Sequence, residues 1–248
     1  APSTGAIGIA GEDSTFWINK PTASKISPVA GANIGGGDSM KYRWMSPSMS
    51  GFQVGGSYVP DTTSGGGGNT MPVTGGNSSV ADQTDVGIKY SGKMGANAVA
   101  ASVTYWSKDA GTASTNNFAL GASTTMGAFT VGAGYKDERS AGDNKNGISM
   151  KTLGGDSNLT AKTYNVGVQW AQGKATVSAN YFKVEMPLSL AVTGNDELTK
   201  LTLGAKYAMG PGVDFLASVQ NVRWDDELPA TANSNKGYAV VGGIAVKF

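Results

Sequence analysis

Lys41 and Arg43 flank Tyr42, with Trp44 next, so an extended chain here puts two cations on one face and two aromatics on the other. Lys89, Lys206 and Lys247 recur in the same setting, each between apolar neighbours such as Ile88 and Tyr90. What such residues can do is set by what is missing around them. The 248 residues include no His and no Cys, which closes off thiol nucleophiles, disulfides, zinc sites of the common kinds and the Ser-His-Asp relay. No carboxylate dyad recurs at fixed strand spacing, so the sequence predicts no enzyme. The glycine run Gly65 to Gly68 leads into no Gly-x-x-x-x-Gly-Lys motif and reads as a loop rather than a phosphate cradle. No cofactor or metal site is expected. With 19 basic and 18 acidic residues the net charge is +1, which lacks the basic footprint of a nucleic-acid binder. The chemistry left to these cations is that of a fixed electric field.

The elements that carry them follow from composition and period. The chain holds 37 Gly, roughly twice the usual share of about 7%, which argues for strands joined by many turns. No stretch approaches the roughly 18 to 20 apolar residues of a membrane-spanning helix. That test is silent on membrane strands, whose apolar and polar residues alternate and average out, in keeping with a mean hydropathy of −0.18. From residue 39 onward, segments of about nine to twelve residues alternate strictly. Near the C-terminus Tyr238, Val240, Gly242, Ile244, Val246 and Phe248 share one face, while Ala239, Val241, Gly243, Ala245 and Lys247 share the other. Leu201, Leu203, Ala205 and Tyr207 form an equivalent set, as do Tyr164, Val166, Val168 and Trp170, and Phe129, Val131, Ala133 and Tyr135. Between them lie Thr, Gly, Asn, Gln and Lys. A soluble β-sandwich also alternates, but it would use large aliphatics on its buried face and not this slim polar one. The pattern predicts an all-β, antiparallel transmembrane barrel with a lipid-facing and a water-facing side.

Connections alternate as well. Short ones fall at 46–50, 92–97, 125–128, 171–174 and 208–212; long polar ones fall at about 60–83, 107–116, 137–160, 186–197 and 225–236. Tight periplasmic turns and long external loops have this asymmetry. With the short turns on one side, outward aromatics fall into two girdles at the membrane–water interfaces: Trp44, Tyr90, Trp170, Tyr207 and Phe248 close descending strands, and Tyr58, Tyr105, Tyr135 and Tyr181 close ascending ones. Acids such as Asp82, Glu138 and Asp225 are expected in hydrated external loops. The chain opens on Ala1, Pro2 and Ser3 without a signal peptide, which reads as a mature product or an incomplete piece.

The segment DSMKYRWMSPSMSGFQVGGSYVPD, residues 38–61, has a basic-Tyr run, then Ser46-Pro47, then Gly51-Phe52 leading into a strand. It resembles the strand-turn-strand that follows the constriction loop in general diffusion porins of Gram-negative bacteria. With Val246-Lys247-Phe248 at the end, the resemblance covers residues 38–248, although such porins often have an aromatic where this chain has Val246. The resemblance implies a 16-stranded barrel, usually a trimer, in the bacterial outer membrane, with its third external loop folded into the lumen. It implies passive diffusion of ions and small hydrophilic solutes, with outer-membrane lipid and lipopolysaccharide as surroundings. About eleven strands follow residue 39, the number expected after that loop. Residues 1–248 then form one barrel domain, in which 1–37 hold the tail of a fifth strand and the constriction loop and the first five strands are missing. The alternative makes Ile7 with Ile9 and Phe16 with Ile18 two short strands of a complete barrel of about twelve.

In that frame Lys41 and Arg43 turn into the lumen, and Glu12 and Asp13 in the loop would face such a basic wall as acidic loop residues do in the family. Opposed charges orient dipolar solutes. Lys89, Lys206 and Lys247 have lumen parity nearer the periplasmic end and are expected to tune ion preference weakly. A substrate-specific channel would need a ladder of lumen aromatics, for which Trp106, Phe182 and Trp224 have inward parity. A structural or adhesive surface barrel would instead have a closed pore.

Overall fold

The computed structural model describes residues 41–60, 82–109, 114–141, 159–187, 194–226 and 234–247. Among them eleven strands form one antiparallel sheet in which each strand pairs with its sequence neighbour: β1 (Tyr42–Met45), β2 (Phe52–Val59), β3 (Asp82–Met94), β4 (Asn97–Asp109), β5 (Ser114–Met126), β6 (Phe129–Ala141), β7 (Leu159–Gln172), β8 (Ala175–Met186), β9 (Asp196–Gly210), β10 (Val213–Asp225) and β11 (Asn235–Val246). No ladder among the described residues joins β1 to β11, so the sheet has two edges.

Glycine sets the short turns. Gly95, Gly127 and Gly173 each follow a strand's last residue with φ near +60°, the first central position of a two-residue hairpin that only a residue without Cβ adopts freely. The turn before β2 explains the Ser-Pro-x-x-x-Gly-Phe signature residue by residue. Ser46 extends the ladder beyond β1, its N–H donating to the Val54 carbonyl at 2.8 Å while its hydroxyl accepts from the Val54 N–H at 3.0 Å. Pro47 has no N–H to give and takes the chain out of the strand. Met49 and Phe52 then exchange both backbone hydrogen bonds across Ser50-Gly51, whose φ values of 51° and 88° are the paired positive angles of a type I′ turn. Phe52 lands against Tyr90 with ring centroids 4.8 Å apart. A Cβ at Gly51 would sit 2.6 Å from the Ser91 carbonyl oxygen. Gly51→Ala is therefore expected to destabilise the folded protein by about 1–3 kcal/mol, read as a lower urea midpoint, whereas Gly127→Ala, with open space around it, loses only the backbone component.

Strands β3 to β11 run to 12–15 residues, longer than the nine to twelve read from the alternation. Part of the excess is at the short turns, where β3 and β9 run on to Met94 and Gly210 inside the expected links 92–97 and 208–212, and the rest is at the long-loop ends. β6 and β7 reach Ala141 and Leu159, inside the stretch 137–160 expected to be a loop, and β4 and β5 reach Asp109 and Ser114 inside 107–116. Beyond the aromatic girdle both faces of a strand meet water or head groups, so both carry polar residues and the period-2 hydropathy signal ends before the backbone ladder does. Glu138, expected in a loop, is in β6; Asp82 and Asp225 are strand-end residues.

Candidate functional site

The two faces of the sheet are of opposite character. On one, large apolar side chains stand open: Trp44, Val86, Val103, Leu120, Val131, Val166, Leu203, Val219 and Val240 are all more than a third exposed. Registered pairs make continuous apolar rows, for example Val131–Val168–Ala179–Leu203–Val219–Val240. A water-soluble protein does not present so large an apolar surface, and in hydrocarbon it is the required one. We call this the outer face.

Aromatics close the outer face at both ends. Trp44, Tyr207, Tyr58, Tyr105 and Tyr181 are exposed. Tyr90 and Tyr135 are partly covered, by Phe52 and by Tyr164 at 5.4 Å, and Trp170 is half-buried. Phe52, Phe118, Phe215 and Tyr238 join the same bands. Phe248 lies outside the described residues.

Charge on the outer face is confined to the long-loop ends. Asp137 with Arg139, Lys183 with Glu185 and Glu197, and Arg223 with Asp225 form ion pairs at 3.1, 2.6, 3.2 and 2.6 Å, and Lys162 and Lys236 share their parity. At the short-turn ends the described outer-face strand residues carry no charge. An unscreened charge in hydrocarbon is expensive, so these pairs mark a plane at which hydrocarbon has given way to head groups.

The inner face is more enclosed, polar over much of its area and apolar where β8 to β10 leave their long-loop ends. One registered row crosses six ladders: Arg43, Ser57, Asp85, Trp106, Asn117, Glu138 and Ala161. Ser57 donates to Asp85 at 2.8 Å, and the Gln83 amide donates to both its carboxylate oxygens at 3.2 and 3.0 Å. Glu138, only 4% exposed, is held by Lys136 Nζ at 2.7 Å and by the Asn117 amide at 3.3 Å. Asn165 and Asn180 bond reciprocally between β7 and β8. The acids of the upper inner wall are therefore tied to neighbours, whereas Arg43 is exposed and makes no ion pair among the described residues.

Of the residues singled out from sequence, Arg43 and Lys89 are on the inner face and exposed; Lys41 is exposed just ahead of β1. Arg43 and Lys89 belong to different rows, Lys89 standing opposite Gln53 and Ser102. Glu12 and Asp13 lie outside the described residues, as does the whole of 1–37. Sequence reading passed over the Lys136–Glu138 pair, since Glu138 fell in an expected loop, and over Lys93, whose inner-face parity follows from its pairing with Ala98. The alternation of Tyr90, Gly92 and Met94 would have revealed Lys93, but Gly92 weakens the apolar signal at that end.

The inner aromatics are not an exposed ladder. Phe182 and Trp224 pack with Val184, Met186, Leu198 and Val222 in a buried cluster across β8 to β10, and Trp106 is 7% exposed.

A single antiparallel sheet with lipid-type outer rows, two aromatic bands and a hydrophilic inner face defines the class of outer-membrane β-barrels. The sequence pattern of the family described as Gram-negative porin matches residues 3–227, and the chain belongs to that family, in the outer membrane. No curated protein sequence matches it. Among solved structures it is similar to an anion-selective porin from Comamonas acidovorans (15% identity, 84% of this chain and 59% of that one, TM-score 0.56). It is also similar to the outer membrane channel DcaP of Acinetobacter baumannii (16% identity, 83% and 61%, TM-score 0.56) and to the outer membrane protein OmpT of Vibrio cholerae in its trimer form (12% identity, 83% and 63%, TM-score 0.51). At these identities the likeness is one of fold. The chain spans 59–63% of the length of these three structures.

Proposed function

We propose that this chain walls a water-filled channel of the outer membrane, through which ions and small hydrophilic solutes diffuse down their gradients without a reaction. The observation that carries this is the inner row from Arg43 to Glu138, hydrophilic at every position but the buried Trp106, behind an outer face of exposed apolar side chains. Hydrophilic walls keep water, and hence hydrated solutes, continuous through the membrane. Among the described residues β1 and β11 each have one edge without a partner strand, and hydrocarbon cannot satisfy the backbone groups of such an edge, which supports closure by further strands in a barrel of the 16-stranded type. A homotrimer is the assembly proposed, and the outer-face charges at the long-loop ends would meet the phosphate-bearing head groups of lipid and lipopolysaccharide. Residues 1–37 are proposed to hold the constriction loop, with Glu12 and Asp13 opposite Lys41 and Arg43.

Single-channel recording in a planar bilayer tests the reading. Large, stepwise, ohmic openings that do not saturate with sugar concentration are expected; folded protein that gives no openings would sink it. Openings that a particular sugar blocks would favour a substrate-specific channel, a reading that the burial of Trp106, Phe182 and Trp224 argues against.

A further inference from the structure

Acidic and basic residues are almost equal in number, 18 to 19, so an excess of one sign on any part of the wall is a matter of placement rather than composition. On the inner face the carboxylates Asp85, Glu138 and Asp196 belong to the half nearer the long loops, where Arg43, Lys108, Lys136 and Lys200 stand among them and the signs are mixed. In the half nearer the short turns the inner-face charges are Lys89 and Lys93 on β3, Lys206 on β9, and Lys247 just beyond β11, against Asp214 alone. Lys247 Nζ is 3.9 Å from Asp214 Oδ2, a distance at the limit of ion pairing, with the lysine side chain 77% exposed. Lys89 and Lys93 are exposed, Lys206 is half-buried, and none of the three meets a carboxylate among the described residues. The described outer-face strand residues at this level are uncharged and offer them no counter-charge.

We propose that Lys89, Lys93, Lys206 and Lys247 form a basic collar in the short-turn half of the lumen, which draws anionic solutes through the channel in preference to cations. The proposal rests on the channel reading above and adds the sign of its selectivity and the residues that set it. Its physical basis is focusing: charges of one sign on a low-dielectric wall raise the local potential in the water they enclose. A mean potential of about one kT multiplies the local anion concentration by roughly 3 and divides that of cations by the same factor, a ratio near ~7. Salt shortens the reach of the field from about 10 Å at 0.1 M to about 3 Å at 1 M, so the preference must fade over that range. The lysines act as a distributed charge, not as a binding pocket, and any small anion feels them.

The test is the reversal potential of the protein in a planar bilayer under a KCl gradient. Near 0.1 M the expected chloride-to-potassium permeability ratio is above about 5, falling toward unity near 1 M. The quadruple variant Lys89→Gln, Lys93→Gln, Lys206→Gln, Lys247→Gln should still open, with steps close to the parent's near 1 M KCl and smaller ones near 0.1 M, and lose at least about threefold in the ratio at the lower salt. The corresponding four Lys→Arg changes should retain it, since charge is kept while shape is not. Channels that open but prefer potassium, or whose ratio is the same in the Gln and Arg variants, overturn the collar and leave the channel reading standing. Silence from folded protein overturns the channel reading, and the collar with it.

Discussion

Leu203→Arg is expected to lower the stability of the folded barrel in lipid by about 2–4 kcal/mol, enough to shift its urea midpoint strongly or leave it unfolded. Leu203 is 48% exposed in the middle of the outer face, between Ala179 and Val219 in an apolar row, with Tyr207 four residues nearer the short turn. An arginine there has no ion partner in the row, and a side chain at mid-depth has the longest path to water. The matching change on the inner face, Ser102→Arg, should cost less, about 1 kcal/mol or under, because Ser102 is exposed on the hydrophilic face and the repulsion from Lys89 opposite it is the main penalty. The pair of variants tests register as well as burial, since a one-residue slip would exchange the two results. Equal stability of both in lipid vesicles would refute the assignment of faces.

Lys136→Met should cost about 3–5 kcal/mol, more than an exposed ion pair would. Lys136 holds Glu138 at 2.7 Å, and their side chains are 15% and 5% exposed, so both are largely out of bulk water. Removing the lysine leaves an enclosed carboxylate with the Asn117 amide, at 3.3 Å, as its remaining donor and no compensating charge among the described residues. Replacing both members, Lys136→Met with Glu138→Met, should recover most of the loss, because the desolvation of two charges disappears along with their attraction. Denaturant midpoints of the single and double variants decide the matter: a double variant as unstable as the single one would mean that the stranded Glu138 carboxylate is not the source of the loss, and a single variant of unchanged stability would mean that Glu138 is held by something other than Lys136.

How far the sequence could be read depended on which side of the membrane boundary a residue falls. Within the hydrocarbon, parity is enforced by solvent, and the outer sets Leu201 to Tyr207 on β9 and Tyr164 to Val168 on β7 were legible, as was the count of about eleven strands. The turn at 46–51 was legible as a motif, but its cause, a hydroxyl that stands in for a strand carbonyl and a glycine held against Ser91, needs coordinates. Outside the hydrocarbon the rule lapses. Asp137, Glu138 and Arg139 look like loop residues because all three are charged, yet the ladder continues through them and turns Glu138 inward between Asn117 and Ala161. The inner face was legible in kind but not in row. Strand alternation tells that Arg43 and Lys89 share a side; only the register tells that Arg43 aligns with Asp85 and Trp106 while Lys89 aligns with Ser102.

The confinement of outer-face charge to one rim also bears on how the barrel gets into the membrane and how long it stays. If the long-loop ends are the ones that cross, Arg139, Lys162, Lys183, Arg223 and Lys236 traverse hydrocarbon during insertion, each facing a barrier of roughly 2–4 kcal/mol at mid-depth if it went alone. Three of them travel beside a carboxylate one or two strand positions away, which lowers the charge that has to be moved. The return journey meets the same barrier from a lower starting point, with the aromatic bands anchored behind it. On that route the charged rim would act as a latch, favouring one direction of insertion and slowing extraction, so that persistence in a membrane would be set by a rate as well as by equilibrium stability.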